Sequence, residues 1–354
     1  MTISKNYGTA LKKIDKKIEM SAKTASIGLI AREAGCSPST VSRVLGGYTK
    51  GFSVRPELEA KILELSREFD YKPNPYLRSM RTNKTRIIAV FDPLAGDGGV
   101  VQSAKQEFIA KIREADYIDA GKYVDLEQPG SYTLSFPVDG ALLFDIVDGV
   151  CLNFVEENRI PYVTVNGYCR GHGTSVMPDE AANMRKLTDY LYSLGHRRIA
   201  YYAGHKRVYG PALHYSVAAR EAHYQENVER LGLIHASAHW NRQISPEEFL
   251  QQAFHREKMT AVICYDHAKA LKLIHAAWKL GIRIPEELSV CSFNDAYPLD
   301  LLTPPVTCIA TPGREMGALA ARLLLETLDG KRQDSGEIIP VQGELIVRES
   351  VRAL

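Results

Sequence analysis

The side chains best suited to chemistry in this 354-residue sequence are concentrated between positions 37 and 43. This short run contains four hydroxyl side chains and one guanidinium: Ser37, Ser39, Thr40, Ser42 and Arg43. Hydroxyl and guanidinium groups are the donors and acceptors with which proteins contact the phosphates and bases of nucleic acids. The run therefore predicts a surface that binds a polar, anionic partner.

The segment from Ile27 to Leu45 is expected to hold these side chains on two short helices joined by a tight turn. Apolar residues recur at helical spacing up to Gly35, a residue that tolerates the positive φ at which helices end. Ser37 stands at an N-cap position and Pro38 at the first helical position. Ala31, Gly35 and Val41 are small enough for two helices to cross closely. The pattern predicts a helix-turn-helix with its second helix in the DNA major groove, although an ordinary αα-hairpin remains an alternative.

The distribution of charge supports a polyanion-binding segment at the start of the chain. Residues 1–86 contain 17 Lys and Arg against 8 Asp and Glu, whereas the remainder contains 27 against 34. A basic head on an acidic body is typical of a DNA-binding module joined to a domain with another task. Residues 1–24 are interpreted as a basic tail that is disordered or lies upstream of a start at Met20. The alternative is an extra arm that contacts DNA phosphates.

A third helix and a short linker follow. Arg55–Asp70 carries apolar residues at helical spacing and should cover the open side of the two-helix unit. Between Tyr71 and Arg86, Asn74 can cap a helix of barely two turns, which is too short to persist alone. The helix carries Arg78, Met80 and Arg81. It could fold on DNA, place its arginines on phosphates and insert an apolar side chain into the minor groove.

Beyond Arg86 the sequence alternates between strand-like apolar runs and helical stretches. Strands are predicted at 87–91, 140–144, 162–165, 199–203, 260–264, 289–293 and 344–347. Helices are predicted at 104–113, 151–158, 180–194, 216–231, 246–254, 268–280 and 315–328. This order predicts an α/β fold with two doubly wound subdomains of mostly parallel strands. Ligands of such sheets bind beyond the carboxyl ends of the strands.

These segments together resemble the LacI/GalR family of bacterial repressors. The resemblance is carried in the head by Ala34-Gly35, Thr40-Val41-Ser42-Arg43-Val44-Leu45 and Tyr71-x-Pro73-Asn74, and in the body by Leu194-Gly195-His196, Phe293-Asn294-Asp295 and Glu315-Met316-Gly317. It implies that Pro38 and Ser39 face base edges, that Arg43 reads a guanine, and that Met80 occupies the position of a leucine wedge. Arg43 could then bond guanine O6 and N7 together, worth ~1–3 kcal/mol of discrimination.

The resemblance also implies an effector site between the subdomains. It places Asp266, Asn166, Tyr224 and Phe293 there, with Tyr224 stacking on a sugar ring. The position where many relatives carry a guanidinium corresponds to Ala218, so Arg220 could substitute only after a local register shift. A short region between Ile87 and Asp139 resembles the subgroup of the evolved β-galactosidase repressor, which favours a sugar effector. Packing or helix capping is the alternative role for each residue.

Other classes of function lack their sequence signals. The six cysteines show no metal-ligand spacing, and neither a P-loop nor a GxSxG motif is present. No apolar run is long enough for a membrane span, and no secretory signal is recognisable. We therefore expect a cytoplasmic, nucleoid-associated bacterial protein that is not an enzyme and needs no cofactor or metal.

The sequence predicts a homodimeric transcriptional repressor that a small molecule, expected to be a galactoside-like sugar, releases from operator DNA. Its predicted domains are the tail 1–24, a headpiece 25–72, a hinge helix and linker 73–86, and an effector-binding and dimerisation domain 87–354. A dimer is favoured because no heptad helix follows the last strand. The alternatives are a corepressor-dependent purine or nucleoside regulator, and a soluble sugar-binding protein without DNA function.

Overall fold

The computed structural model describes residues 26–46, 53–71, 84–93, 100–124, 134, 136–146, 149–204, 214–236, 244–333 and 336–354. The chain divides into two compact units, Met1–Thr85 and Arg86–Leu354. We call the second unit the body. The basic tail 1–24 and the predicted hinge residues Asn74, Arg78, Met80 and Arg81 lie outside the described residues.

The described part of the first unit contains three helices, which are α1 (Ile27–Ala34), α2 (Pro38–Leu45) and α3 (Pro56–Glu68). Their shared core is small, and it centres on Ile30, Val41 and Ile62, all fully buried. Gly35 ends α1 with φ of 73°. A Cβ at Gly35 would meet no atom within 4 Å. Gly35 is thus required for its left-handed backbone and not, as the sequence suggested, for close helix crossing.

The body alternates strands and helices in the following order: β1 (Ile87–Pro93), α4 (Val100–Glu114), β2 (Ile118–Val124), β3 (Gly140–Phe144), α5 (Gly149–Glu157), β4 (Tyr162–Val165), β5 (Thr174–Pro178), α6 (Glu180–Ser193), β6 (Ile199–Tyr202), α7 (Tyr215–Leu231), α8 (Pro246–Leu250), a π-helical turn (Gln251–Arg256), β7 (Ala261–Cys264), α9 (His267–Lys279), β8 (Ser289–Phe293), β9 (Thr307–Ala310), α10 (Gly313–Leu328), β10 (Ile338–Val341) and β11 (Glu344–Ile346). The predicted α/β class is confirmed.

The strands form two sheets. The first sheet has the order β10-β5-β4-β3-β1-β2 and is parallel throughout, and the second has the order β11-β9-β8-β7-β6 with only β11 antiparallel. Each sheet is covered on both faces, because successive strand residues enter different cores. Ile88 and Val90 pack on one side of the first sheet, while Ala89 and Phe91 pack on the other. The carboxyl ends of the strands are where a ligand would bind.

Neither sheet is built from one continuous stretch of chain. The described chain passes from one subdomain to the other between β5 and α6, between β9 and α10, and between β10 and β11. Helix α6 packs on the second sheet, and α10 packs on the first. The crossing at Gly343 is close, because a Cβ there would lie 2.6 Å from Ile309 Cγ2 and 2.7 Å from the Ala310 carbonyl oxygen. The subdomains are therefore joined by short, tightly packed segments.

His196 links the C-terminal segment to the second sheet through hydrogen bonds. The residue is fully buried, and its Nε2 lies 3.0 Å from the Arg352 carbonyl oxygen while its Nδ1 lies 2.8 Å from Thr260 Oγ1. The carbonyl requires a hydrogen on Nε2, so in the neutral imidazole Nδ1 is an acceptor and shares the Thr260 hydroxyl hydrogen with the Arg198 carbonyl, 3.1 Å from Oγ1. Burial lowers the pKa of His196 below its usual value of 6.5, outweighing the favourable bond to the Arg352 carbonyl.

We expect acid to destabilise the body through His196. Because its pKa is depressed in the folded state, its stabilising effect is complete above pH 6.5 and is lost as pH falls through the lower folded-state pKa. Urea unfolding of the wild type and of His196→Gln between neutral and acidic pH measures the difference. The loss of stability on acidification should be smaller in the variant, and equal slopes for the two proteins would contradict this role.

Candidate nucleic-acid interface and ligand site

The candidate DNA-binding surface lies at the start of α2. Ser37, Pro38, Ser39 and Arg43 are exposed, while Thr40 and Ser42 are half-buried. These positions agree with the polar face that the sequence predicts. Val41 faces the opposite way and is fully buried.

Ser37 also has a structural task. Its hydroxyl oxygen accepts a hydrogen bond of 3.1 Å from the Thr40 backbone N–H, which makes it the N-cap of α2. The same oxygen lies 2.8 Å from Ser39 Oγ and 2.9 Å from Thr40 Oγ1. The three hydroxyls therefore form a linked group at the helix N-terminus, where backbone N–H groups and the helix dipole favour an anion.

In the body, three residues that directly follow strands have left-handed backbone conformations. Asp145 after β3, Asn166 after β4 and Asn294 after β8 have φ of 50°, 58° and 67°. Non-glycine residues adopt such angles at a cost, and they are concentrated at ligand sites where the surrounding structure enforces them. All three lie at the carboxyl ends of parallel strands, whereas Asp116, Arg159 and Lys258, which also have positive φ, lie in turns that lead from a helix into a strand.

Asn166 connects the ends of the two sheets. Its amide Nδ2 donates to Asp145 Oδ1, and its Oδ1 accepts a 2.8 Å hydrogen bond from the Tyr215 hydroxyl. The Asn166 carbonyl oxygen lies 3.0 Å from His214 Nε2, which is also 3.6 Å from Asp145 Oδ1. Tyr215 begins α7, which packs on the second sheet, so these contacts join the two subdomains.

The hydrogen-bonded chain continues into the second subdomain. His214 Nδ1 lies 2.7 Å from Ser216 Oγ, which is in turn 2.7 Å from the hydroxyl of Tyr265, directly after β7. Burial raises the pKa of the Tyr215 and Tyr265 hydroxyls, so both remain protonated at neutral pH. We call the connected residues the inter-subdomain cluster, which consists of Asp145, Asn166, Glu180, His214, Tyr215, Ser216, Arg220 and Tyr265.

Arg220 and Glu180 form the charged part of this cluster. Arg220 Nε and Nη2 donate to the two Glu180 carboxylate oxygens at 2.8 and 2.9 Å, and Nη1 donates to the Tyr265 carbonyl at 2.6 Å. The guanidinium also lies over the Phe293 ring, 4.2 Å from its centroid. Burial opposes the charge of Arg220, but Glu180 outweighs burial and raises the pKa of the guanidinium. Helix α7 is continuous, and Arg220 on it contacts Glu180, Tyr265 and Phe293; its predicted contact with an effector stays a prediction.

The other predicted effector residues have different surroundings. Asp266 is the N-cap of α9, accepting a 2.7 Å hydrogen bond from Lys269 N, and its carboxylate lies 3.6 Å from Lys269 Nζ. Its predicted contact with an effector would be made in addition to capping. Phe293 is fully buried at the end of β8. Asn166 and Arg220 are thus members of the cluster, and Phe293 contacts it through Arg220.

Tyr224 lies in the core between α7 and the second sheet, which Tyr265 and Phe293 share. Its ring stacks on Tyr201 with centroids 5.3 Å apart, and its hydroxyl donates to the Ile199 carbonyl at 2.8 Å. The residue is fully buried. These contacts give Tyr224 a packing role, and its predicted contact with an effector stays a prediction.

Sequence reasoning missed several members of the cluster, namely Asp145, Glu180, His214, Tyr215, Ser216 and Tyr265. Asp145 carried a usable signal, since it directly follows the apolar run GALLF. Glu180 carried none, because its partner Arg220 is 40 residues away in the sequence. Among the residues that the structure describes, no group of three His, Cys, Asp or Glu side chains could hold a metal ion. In the same residues, no helix has the length and apolar character needed to cross a membrane.

Two family profiles match this chain. The profile described as bacterial regulatory proteins of the lacI family matches residues 26–74, and the profile of a periplasmic binding protein-like domain matches residues 188–351. A relative over the full length is the HTH-type transcriptional repressor PurR of Vibrio vulnificus strain CMCP6. It is 26% identical over 359 residues, with 93% of this chain and 99% of the relative covered.

Solved structures show the same fold. The lac repressor dimer bound to operator and the anti-inducer ONPF superposes with a TM-score of 0.73 at 18% identity, covering 94% of this chain and 100% of the other. The LacI family regulator CCPA from Weissella paramesenteroides with bound glucose superposes with a TM-score of 0.63 at 20% identity. That comparison covers 76% of this chain and 99% of the other.

Proposed function

Because this chain belongs to the LacI family of bacterial regulatory proteins, we propose that it represses transcription by binding an operator and is released by a small uncharged sugar. The observation that carries the proposal is the combination of an exposed polar recognition helix with a strained polar cluster between two α/β subdomains. Each subdomain sheet directs its strand ends to this cluster, where an effector would contact both. We place this activity in the bacterial cytoplasm.

For DNA, we propose that α2 enters the major groove and that Arg43 bonds a guanine. Ser37, Pro38, Ser39, Thr40 and Ser42 would face base edges or phosphates around it. The predicted hinge residues would act in the central minor groove: Asn74 as a helix cap, Arg78 and Arg81 on phosphates, and Met80 as an apolar wedge. The lac repressor dimer, which has a similar fold, is bound to operator, and this supports DNA as the partner of this chain.

For the effector, we propose that the ligand replaces contacts within the inter-subdomain cluster. Asn166, Arg220, Phe293 and Asp266 are the candidate contacts, and the glucose bound to the Weissella regulator supports a sugar. A ligand that prefers one arrangement of the subdomains shifts the population towards it, and operator DNA must weaken that ligand by the same factor. Induction is the proposed sign. A purine or nucleoside corepressor is the alternative.

We also propose that the active species is a homodimer. A two-fold dimer presents two recognition helices to successive major grooves of a palindromic operator. The lac repressor with a similar fold is a dimer in its operator complex. Large apolar side chains exposed on the body, including Trp278, Tyr297 and Leu301, provide surface for such an interface.

Arg43→Ala should lower affinity for the selected operator about tenfold or more, while changing non-specific DNA binding much less. Operators are first selected from random duplexes with the wild type, and binding is then measured at several salt concentrations. Arg67→Ala is the matched control, because it removes the same charge from an exposed position on α3. Equal losses on specific and random DNA would contradict the assigned role of Arg43. A wild type without salt-dependent DNA binding would instead favour the sugar-binding alternative.

The sign of effector action is tested on the same operator complex. Sugars and, separately, purines and nucleosides are added, and both protein melting temperature and operator affinity are measured. A sugar that stabilises the protein and weakens operator binding supports induction. A purine or nucleoside that stabilises the protein and strengthens operator binding would replace the proposal by corepression.

A further inference from the structure

We propose that Glu180 makes the effector site selective for uncharged ligands by occupying the guanidinium of Arg220. A ligand carrying a carboxylate or a phosphate would need that guanidinium as its counter-charge. Glu180 is thus a specificity-determining residue that excludes anions. This inference rests on the proposed role of the inter-subdomain cluster in effector binding.

Arg220 and Glu180 are joined by two parallel hydrogen bonds. A guanidinium presents five N–H donors in a fixed plane, and a carboxylate or phosphate is bound best by two parallel donors. Arg220 directs Nε and Nη2 at Glu180 and a further N–H, on Nη1, at the Tyr265 carbonyl. Glu180 therefore takes the Nε–Nη2 pair of donors, and the Tyr265 carbonyl takes one of the three N–H groups that remain.

Both side chains of the pair are buried. The side chains of Arg220 and Glu180 are only 5% and 4% exposed. Charges removed from water interact more strongly than exposed ones, and neither partner can regain hydration easily if the pair separates. An anionic ligand would have to displace Glu180 and leave its carboxylate buried without a counter-charge. An uncharged hydroxyl ligand can accept a hydrogen bond from an Arg220 N–H that Glu180 does not use, so the ion pair stays intact.

Two further carboxylates belong to the ends of the strands around the proposed site. The carboxylates of Asp145 and Asp266 follow the strands β3 and β7, and the Asp266 carboxylate lies beside the Lys269 ammonium. Carboxylate oxygens accept hydrogen bonds from hydroxyl groups but repel phosphate and carboxylate ligands. The described surroundings of Arg220 thus supply acceptors for a polyol, and the Lys269 ammonium near them is already paired with the Asp266 carboxylate.

The experiment uses inorganic phosphate as the probe on the full chain. Glu180→Gln keeps the size of the side chain and removes its charge, so Arg220 becomes available to an external anion. We expect phosphate, compared with chloride at equal ionic strength, to bind this variant about tenfold or more tightly than it binds the wild type. Isothermal titration and melting temperature measure the difference.

Asp295→Asn is the matched control. Asp295 also holds an arginine through two hydrogen bonds, with Arg348 Nη1 and Nη2 at 2.8 and 2.9 Å, but it is not a member of the cluster. No gain in phosphate binding is expected from this variant. A gain equal to that of Glu180→Gln would overturn the proposal, as would a folded Glu180→Gln with no gain or a wild type that already binds phosphate as tightly.

A variant that fails to fold in chloride is also informative. Phosphate should then restore the circular dichroism of Glu180→Gln, because it binds the folded state. It should have no such effect on Glu180→Gln/Arg220→Met, which lacks the guanidinium. A single variant that stays unfolded in phosphate would contradict the proposal. Since these measurements need neither operator nor effector, a protein that binds no DNA or sugar would refute the proposed function while the phosphate result still decides the role of Glu180.

Discussion

Gly317→Ala is expected to lower the free energy of unfolding of the body by about 2 kcal/mol. Gly317 lies in α10 where that helix crosses α4, and a Cβ there would lie 2.0 Å from the Ala104 carbonyl oxygen. Because the obstructing atom is backbone, the two helices must move apart. Such overpacking costs up to about 3 kcal/mol, offset by about 1 kcal/mol from the better helix propensity of alanine.

Chemical denaturation of the purified full chain measures this loss of stability. Gly121→Ala is the control, because a Cβ at Gly121 in β2 would meet no atom within 4 Å and the residue has no positive φ. It should leave stability within about 0.5 kcal/mol of the wild type. A stable Gly317→Ala would mean that the α4–α10 contact is looser than the structure indicates.

Arg220→Met should destabilise the body by about 3–5 kcal/mol, because it leaves the Glu180 carboxylate buried without its counter-charge. The double variant Glu180→Gln/Arg220→Met removes both charges and should recover most of that loss. A double-mutant cycle in urea gives the coupling between the two residues. If the effects of the single changes are additive, the Arg220–Glu180 pair contributes little to the free energy of unfolding. The cost of Arg220→Met would then come from lost packing against Phe293.

Periodicity in the sequence located the strongly apolar strands of the body but missed four others. β1, β3, β4, β6, β7 and β8 were predicted from continuous apolar runs, as expected for parallel strands buried on both faces. The missed strands β2, β5, β9 and β10 are less distinctive. β2 contains Asp119, Gly121 and Lys122, and β10 is an edge strand that contains Pro340. Their place in the sheet is decided by pairing with neighbours far away in the sequence.

The candidate site was predictable only where a single residue carried the signal. Asn166 and Asp266 follow apolar strands, and the resemblance to the family placed both residues near a ligand. The Arg220–Glu180 pair was not predictable, because it depends on the relative placement of α6 and α7. Tyr224 packs in the core and bonds the Ile199 carbonyl, a role that its position in the sequence did not distinguish from a ligand contact.

The three passages between subdomains have a consequence for biosynthesis. The first sheet receives its edge strand β10 and its covering helix α10 from the last part of the chain, after the whole of β6 to β9. On the ribosome, residues up to Pro178 therefore emerge with an unpaired β5 edge and an uncovered apolar face. Such intermediates are prone to aggregate until the missing elements arrive. The two subdomains must mature together near the end of translation, and neither can be obtained by simple truncation of the gene.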